Sequence, residues 1–237
     1  MYRNKKILAI VPARGGSKGI HLKNLRTING ISLVGHVGQC ISKIYEIDES
    51  IVSTDNIEIA RESEKFGLNV PFFRPDYLSG DRVSDYDVLV HCLEFYEKKR
   101  KEFFDIVLML QPTSPLRTPE LVGQCLKKCI DENWDSVWTV SRVDLKFHPL
   151  KQLKISEAGE LNFFDEKGSN IIARQQLNET FIRNGAAYAF TRECLIDQKT
   201  IMGKKSSVII DNKIHISIDT EEDLHIVEKL LMGNNIN

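Results

Sequence analysis

The chain has 237 residues, 42% hydrophobic and 27% charged, enough for one large domain with a buried core, or such a domain with a small extension, and too few for two equal domains. Thirty-two basic residues against 33 acidic ones leave a formal charge of −1, so no global field draws the protein to nucleic acid, and any anion site must be a local cluster. No apolar run approaches the ~20 residues that span a bilayer, the start Met1 to Lys6 lacks a signal-peptide pattern, and five cysteines without zinc spacing fit reduced thiols, so the expectation is a cytoplasmic protein with no membrane partner.

Residues 6–12 form an apolar run that predicts a buried parallel strand. It leads straight into Ala13-Arg14-Gly15-Gly16-Ser17-Lys18-Gly19-Ile20-His21-Leu22-Lys23-Asn24, a glycine-rich turn carrying three cations. Glycines let backbone N–H groups approach an anion closely, and Arg14, Lys18 and Lys23 supply charge that neutralises phosphate oxygens. The turn matches neither the Walker loop nor G-x-G-x-x-G. Helical spacing then covers 31–45, followed by a strand at 50–54, a helix at 57–66, a short strand at 70–73, a helix at 86–100 and a strand at 106–110 that prolines stop at Gln111-Pro112-Thr113-Ser114-Pro115. This alternation predicts an α/β fold, a mostly parallel Rossmann-like sheet flanked by helices with right-handed crossovers. Ligands bind outside the carboxyl ends of such strands, so the first loop, Ser53-Thr54-Asp55 and the Gln111 turn are expected to converge.

A helix at 119–132 puts Cys125 and Cys129 on one face with no further ligand close in sequence, so both are read as core residues. After a strand at 136–142 the pattern changes: 147–184 is polar and lacks helical period, yet Phe163, Phe164, Ile171, Ile172 and Phe181 argue for packing rather than disorder. Strands at 186–190, 208–210 and 214–218 and a helix at 221–231 follow, with Thr220 and Asp223 as its N-terminal cap and 233–237 as a loose tail. His36, His91 and His225 fall in helices without a serine or acid partner and are read as structural.

The first strand with Ala-Arg-x-x-Ser-Lys-Gly-x-x-x-Lys-Asn resembles the signature of the acylneuraminate cytidylyltransferases, or CMP-sialic acid synthetases. Further family-like blocks follow in order: 25–36, 51–55, Arg74-Pro75, Gln111 through Arg117, His148-Pro149-Leu150-Lys151, Arg174-Gln175-Gln176-Leu177, Asn184-Gly185-Ala186-Ala187-Tyr188 and Ser217-Ile218-Asp219-Thr220. The resemblance covers most of the chain and implies one cytidylyltransferase domain over 1–237, with 147–184 an arm for dimerisation and sugar binding that makes a homodimer. The implied reaction is attack by the 2-hydroxyl of an N-acylneuraminate on the α-phosphate of CTP, with Mg²⁺ required. A related nonulosonic acid, legionaminate or pseudaminate, is the alternative acceptor, and a non-catalytic nucleotide-binding protein the alternative class.

The resemblance also implies roles. Ala13, Arg14, Gly15, Ser17, Lys18, Lys23 and Asn24 would surround the nucleotide, with Arg14 and Lys23 acting on the phosphates and Asp219 holding the metal. Gln111, Lys151, Arg174 and Tyr188 would bind the sugar acid, Arg174 as the planar fork for its carboxylate and Tyr188 as a pocket wall. Two departures stand out. Ser217 replaces the first aspartate of the family's Asp-x-Asp element, so the metal would lean more on the triphosphate. The family's Phe-Arg-Pro-Asn-Gly reads Phe181-Ile182-Arg183-Asn184-Gly185, which displaces the arginine by one.

Overall fold

The computed structural model describes residues 1–233. Strand β1 (Ile7–Pro12) is followed by the first loop, a hairpin of β2 (Thr27–Ile28) and β3 (Ile31–Ser32), and helix α1 (Leu33–Ile41). The helical spacing begins at 31, but the helix starts two residues later because Ser32 is extended and its Oγ accepts the Gly35 N–H, an N-cap. Strand β4 (Glu49–Ser53) and helix α2 (Ile57–Lys65) follow, the latter capped by Asn56. The strand expected at 70–73 is reduced to two isolated bridges, Ile51 with Asn69 and Thr54 with Phe73, since Pro71 has no N–H to continue a ladder.

Helix α3 (Asp85–Arg100), strand β5 (Ile106–Met109), helix α4 (Pro119–Asp131) and strand β6 (Ser136–Arg142) complete the regular part. The arm then carries an exposed antiparallel hairpin of β7 (Leu153–Ile155) and β8 (Leu161–Phe163) and short 3-10 turns. Strand β9 (Phe181–Thr191) is twice the expected length, so the last residues assigned to the arm already belong to the sheet. Helix α5 (Arg192–Ile196), strand β10 (Ser206–Ile210) and helix α6 (Glu221–Gly233) close the chain. The segment 214–218 is not a strand; it crosses the Gln111 turn, where the Ile218 N–H donates to the Thr113 carbonyl at 2.9 Å. Thr220 and Asp223 form the expected cap reciprocally: Thr220 Oγ1 accepts the Asp223 N–H and Asp223 Oδ2 accepts the Thr220 N–H at 2.8 Å. The tail read at 233–237 lies, beyond Gly233, outside the described residues.

The main sheet has the order β10-β6-β9-β5-β1-β4. Strand β1 is parallel to β4 and β5, and β10 to β6, whereas β9 runs antiparallel between β5 and β6. The sheet is therefore mostly parallel with one reversed strand. Alternate residues of β1 serve opposite layers. Ile7, Ala9 and Val11 pack with Val34, Val37, Cys125 and Leu126, while Leu8 and Ile10 pack with Leu89, Leu93, Phe104 and Phe190. Cys125 and Cys129 are buried in the first layer, and burial pushes the Cys129 thiol up to about 12, so both are core residues as expected. A third cluster, including Ile20, Leu33, Ile218 and Leu224, fastens α6 under the first loop. No helix among the described residues is long and apolar enough to cross a membrane.

Candidate active site

Strands β5, β1 and β4 are neighbours, so the loops at their carboxyl ends meet, as the alternation predicts. The first loop, the Gln111 turn and residues from 74–88 enclose a cleft of about 270 Å³ whose lining includes Arg14, Ser17, Lys23, Asn24, Arg74 and Gln111, with Asp81 and Asp85 also on its wall; Ser53-Thr54-Asp55, expected to converge there, stand behind the first loop and do not line it. The first loop is pinned from beneath. Buried Asn24 donates from Nδ2 to the Arg14 carbonyl at 2.9 Å, the Ala13 N–H donates to Ser53 O at 2.9 Å, and the Gly15 N–H donates to Asp55 Oδ1 at 2.7 Å. The N–H groups of Ala13 and Gly15 are thus engaged by the protein, and Ala13 is a core residue. Side-chain cations, more than a backbone cradle, give this loop its character.

Lys23 has a side chain 13% exposed, and its Nζ donates to Asp219 Oδ1 at 2.7 Å and to the Ile218 carbonyl at 2.8 Å. The Asp219 side chain is 70% exposed. The two segments touch at the backbone as well: a Cβ on Gly19 would lie 2.2 Å from the Asp219 carbonyl oxygen, so only glycine fits there. On the other side, Arg14 donates to Asp81 Oδ1 at 2.8 Å and Lys18 to Asp81 Oδ2 at 2.6 Å. The hydrogen bond from Lys18, and then that from Arg14, hold the Asp81 carboxyl below the usual range. These exposed pairs are weak enough to exchange for phosphate oxygens.

Arg74 is buried beside the cleft, with Nε donating to Ser53 Oγ at 2.9 Å and Nη2 to Ser53 O at 2.6 Å; burial lowers its pKa. The sequence marks Arg74-Pro75 as a family-like block without a role; Asp81 sits in a polar run with no periodicity to mark it, and Asp85 opens α3 just after its Ser84 cap. Gln111 is half-buried on the cleft.

Tyr188 is not a wall of this cleft. It packs edge-on against Trp138 in the core, 5.4 Å between ring centroids, and its hydroxyl accepts the Gly185 N–H at 2.9 Å, because β9 is an interior strand. Lys151 and Arg174 stand on the arm, in the short turns Pro149–Lys151 and Arg174–Gln176, outside the lining of the cleft. Lys151 instead borders a separate pocket on the arm with Leu150 and Phe163. The displaced Arg183 lies over the Trp138 ring, 5.5 Å from its centroid. Asp211 pairs with His215 at 2.7 Å, and Ser217 is exposed. Among the described residues no three His, Cys, Asp or Glu side chains form a metal cage. His36 bonds the Ile28 carbonyl and His91 packs against Phe72, while His225 is exposed on α6.

This sheet, with its cation-rich cleft at the strand ends, is the fold of a nucleotidyltransferase. The profile of the cytidylyltransferase family matches residues 8–232, and the chain belongs to that family. It is 33% identical over 231 residues to a CMP-N,N'-diacetyllegionaminic acid synthase of Legionella pneumophila, covering 97% of each chain. It is 26% identical over 223 residues to an N-acylneuraminate cytidylyltransferase of Escherichia coli, covering 93% of this chain and 51% of that one. Among solved structures, a CMP:2-keto-3-deoxy-manno-octonic acid synthetase complexed with CTP superposes with a TM-score of 0.72 at 20% identity, over 97% of this chain and 99% of that chain, a likeness of fold.

Proposed function

We propose that the protein transfers CMP from CTP to the 2-hydroxyl of a nonulosonic acid and releases pyrophosphate. The observation that carries this reading is the convergence of Arg14, Lys23 and Gln111 on one cleft, with Asp219 bonded to Lys23 at its edge. Attack on an α-phosphate depends on charge neutralisation and alignment more than on a covalent nucleophile. Lys23 is mostly buried and preorganised by two acceptors, so it meets the growing phosphate charge without reorganising water. Arg14 and Lys18 leave Asp81 for the phosphates as the nucleotide enters.

Asp219 suits Mg²⁺ as one hard oxygen ligand, the remainder coming from phosphate oxygens and water, and the metal would supply further charge neutralisation. Ser217 offers a hydroxyl in place of a second carboxylate. We further propose a homodimer: the arm exposes Leu153, Ile155, Leu161, Phe164 and Ile172, and its pairing with a second copy would cover this apolar surface and carry Lys151 and Arg174 toward a cleft. For the acid we propose N,N'-diacetyllegionaminate first, since the relative of that name is 33% identical, against 28% for a pseudaminic acid cytidylyltransferase of equal coverage and 26% for the N-acylneuraminate enzyme; N-acylneuraminate, the sequence reading, and pseudaminate follow. Ser217 favours the rival reading, a nucleotide-binding protein without activity.

The test crosses CTP, UTP, ATP and GTP with a panel of nonulosonic acids and Mg²⁺, reading pyrophosphate release and product mass. A CMP-sugar with at least one acid, and CTP well ahead of the other triphosphates, is expected. Tight CTP binding with no pyrophosphate from any acid would support the rival, and turnover only with another triphosphate would remove the cytidylyl assignment.

A further inference from the structure

Behind the Gln111 turn lies Arg117, a guanidinium only 7% exposed. Its Nη2 donates to the carbonyls of Gln111 and, at 3.3 Å, Gly185, while Nε and Nη1 are buried without a hydrogen-bond partner among the described residues. Burial lowers its pKa to about 10, so it remains a cation at neutral pH. An apolar side chain of similar volume would hold two loops together at less cost than a buried cation left with unsatisfied donors. Stability alone therefore does not account for an arginine here.

The geometry around it has a direction. Ser114 Oγ donates to the Asn184 carbonyl at 2.9 Å, and the Gly185 N–H is held by Tyr188 Oη at 2.9 Å. Gly185 has φ of 72°, and a Cβ on it would lie 2.3 Å from Ser114 Oγ and 3.0 Å from Gln111 Oε1. The Gln111 amide thus rests on the bare α-carbon of Gly185, at a corner of β9 where the pairing with β6 shifts register between Trp138 and Val140. Arg117 is the group that ties the backbone under Gln111 to this corner.

We infer that Arg117 is a positioning residue: with Ser114 it clamps the Gln111 turn to the Asn184-Gly185 corner, so that the Gln111 side chain meets the sugar acid in one orientation. This rests on the reading that Gln111 touches the acid. Lysine at 117 keeps the charge, but its side chain is one bond shorter and lacks the rigid guanidinium plane, so its ammonium does not reach the place between the two carbonyls that Nη2 holds. The experiment compares Gln111→Ala, Arg117→Lys, Ser114→Ala and the double variants with Gln111→Ala, measuring KM for the best nonulosonic acid from the panel and the Kd for CTP alone by calorimetry. Arg117→Lys should raise the acid KM about tenfold, as expected for a lost bond to a charged donor, and Ser114→Ala by a smaller factor, with the CTP Kd within about twofold of the parent. Neither should add to the effect of Gln111→Ala, because both act through that side chain. Parental KM values in Arg117→Lys and Ser114→Ala, or full additivity with Gln111→Ala, would overturn the inference alone. A parental KM in Gln111→Ala would overturn the underlying reading and this inference with it. Should Arg117→Lys fail to fold, Ser114→Ala, which leaves the guanidinium in place, decides the matter by the same criteria.

Discussion

Lys23 and Asp219 form an asymmetric pair, a mostly buried ammonium facing an exposed carboxylate at 2.7 Å. The lysine is fixed by the fold and its partner is open to water, which suits a donor that stays in place while the carboxylate changes ligands. Lys23→Ala should therefore lower kcat by roughly 10² to 10³, the usual loss for a preorganised charge donor, while weakening CTP binding much less; a turnover within a few-fold of the parent would remove Lys23 from the mechanism. Ser217 sets a second expectation at this scale. With one carboxylate at the site, free Mg²⁺ should bind weakly and arrive chiefly with CTP. Calorimetry without nucleotide should show no tight Mg²⁺ binding, Ser217→Asp should lower the Mg²⁺ concentration for half activity, and Asp219→Ala should abolish most activity at saturating CTP. Near-normal activity of Asp219→Ala would place the metal elsewhere, with Asp211 and Asp55 next to test.

Besides the Lys23 bonds and the Ile20–Ile218 packing, the first loop and segment 214–219 meet backbone to backbone at Gly19, so disruption there is an element-scale effect. Gly19→Ala forces a Cβ against the Asp219 carbonyl at 2.2 Å, and the backbone cannot yield as a side-chain tip would. The two segments should part, costing about 1–3 kcal/mol of stability and raising the Mg²⁺ requirement, readable as a lowered Tm and a shifted Mg²⁺ titration. How much of this was legible in the sequence depended on which interactions decide each element. Strands β1 and β6 and helices α2, α3 and α4 lie within a residue or two of their expected bounds, because apolar period is a local property; the structure adds that Ser84 and Thr118 cap α3 and α4 where that period begins. The alternation of 214–218 was misread as a strand: alternation reports a half-buried segment but not its backbone partner, which here is one carbonyl of the Gln111 turn. The reversal of β9, and with it the burial of Tyr188, follows from pairing with strands far away in sequence. At the site, the first-loop cations and Gln111 were readable because strand ends converge by topology. Arg74 and Asp81 were not, since their place in the cleft comes from loop packing.

At the scale of the whole molecule, the proposed roles of Lys151 and Arg174 in binding the acid require a second copy, because both stand outside the lining of their own cleft. Ultracentrifugation at assay concentration should find a dimer, and a fully active monomer would contradict the arm's proposed role. Burial also leaves a titration signature. It lowers the pKa of His36 and His91 from 6.5, so below that value the unfolded chain takes up protons that the folded one resists. The sign is a stability that rises with pH up to about 6.5 and falls on acidification; thermal unfolding between about pH 7.5 and 5.5 should show Tm decreasing, with a shallower slope in His91→Phe. The central claim is cytidylyl transfer itself, and ³¹P NMR of a reaction containing CTP, Mg²⁺ and the preferred nonulosonic acid tests it most directly. The account predicts stoichiometric growth of one phosphodiester resonance and of pyrophosphate as CTP disappears. Appearance of CDP with a sugar phosphate, or of CDP with orthophosphate alone, would contradict it.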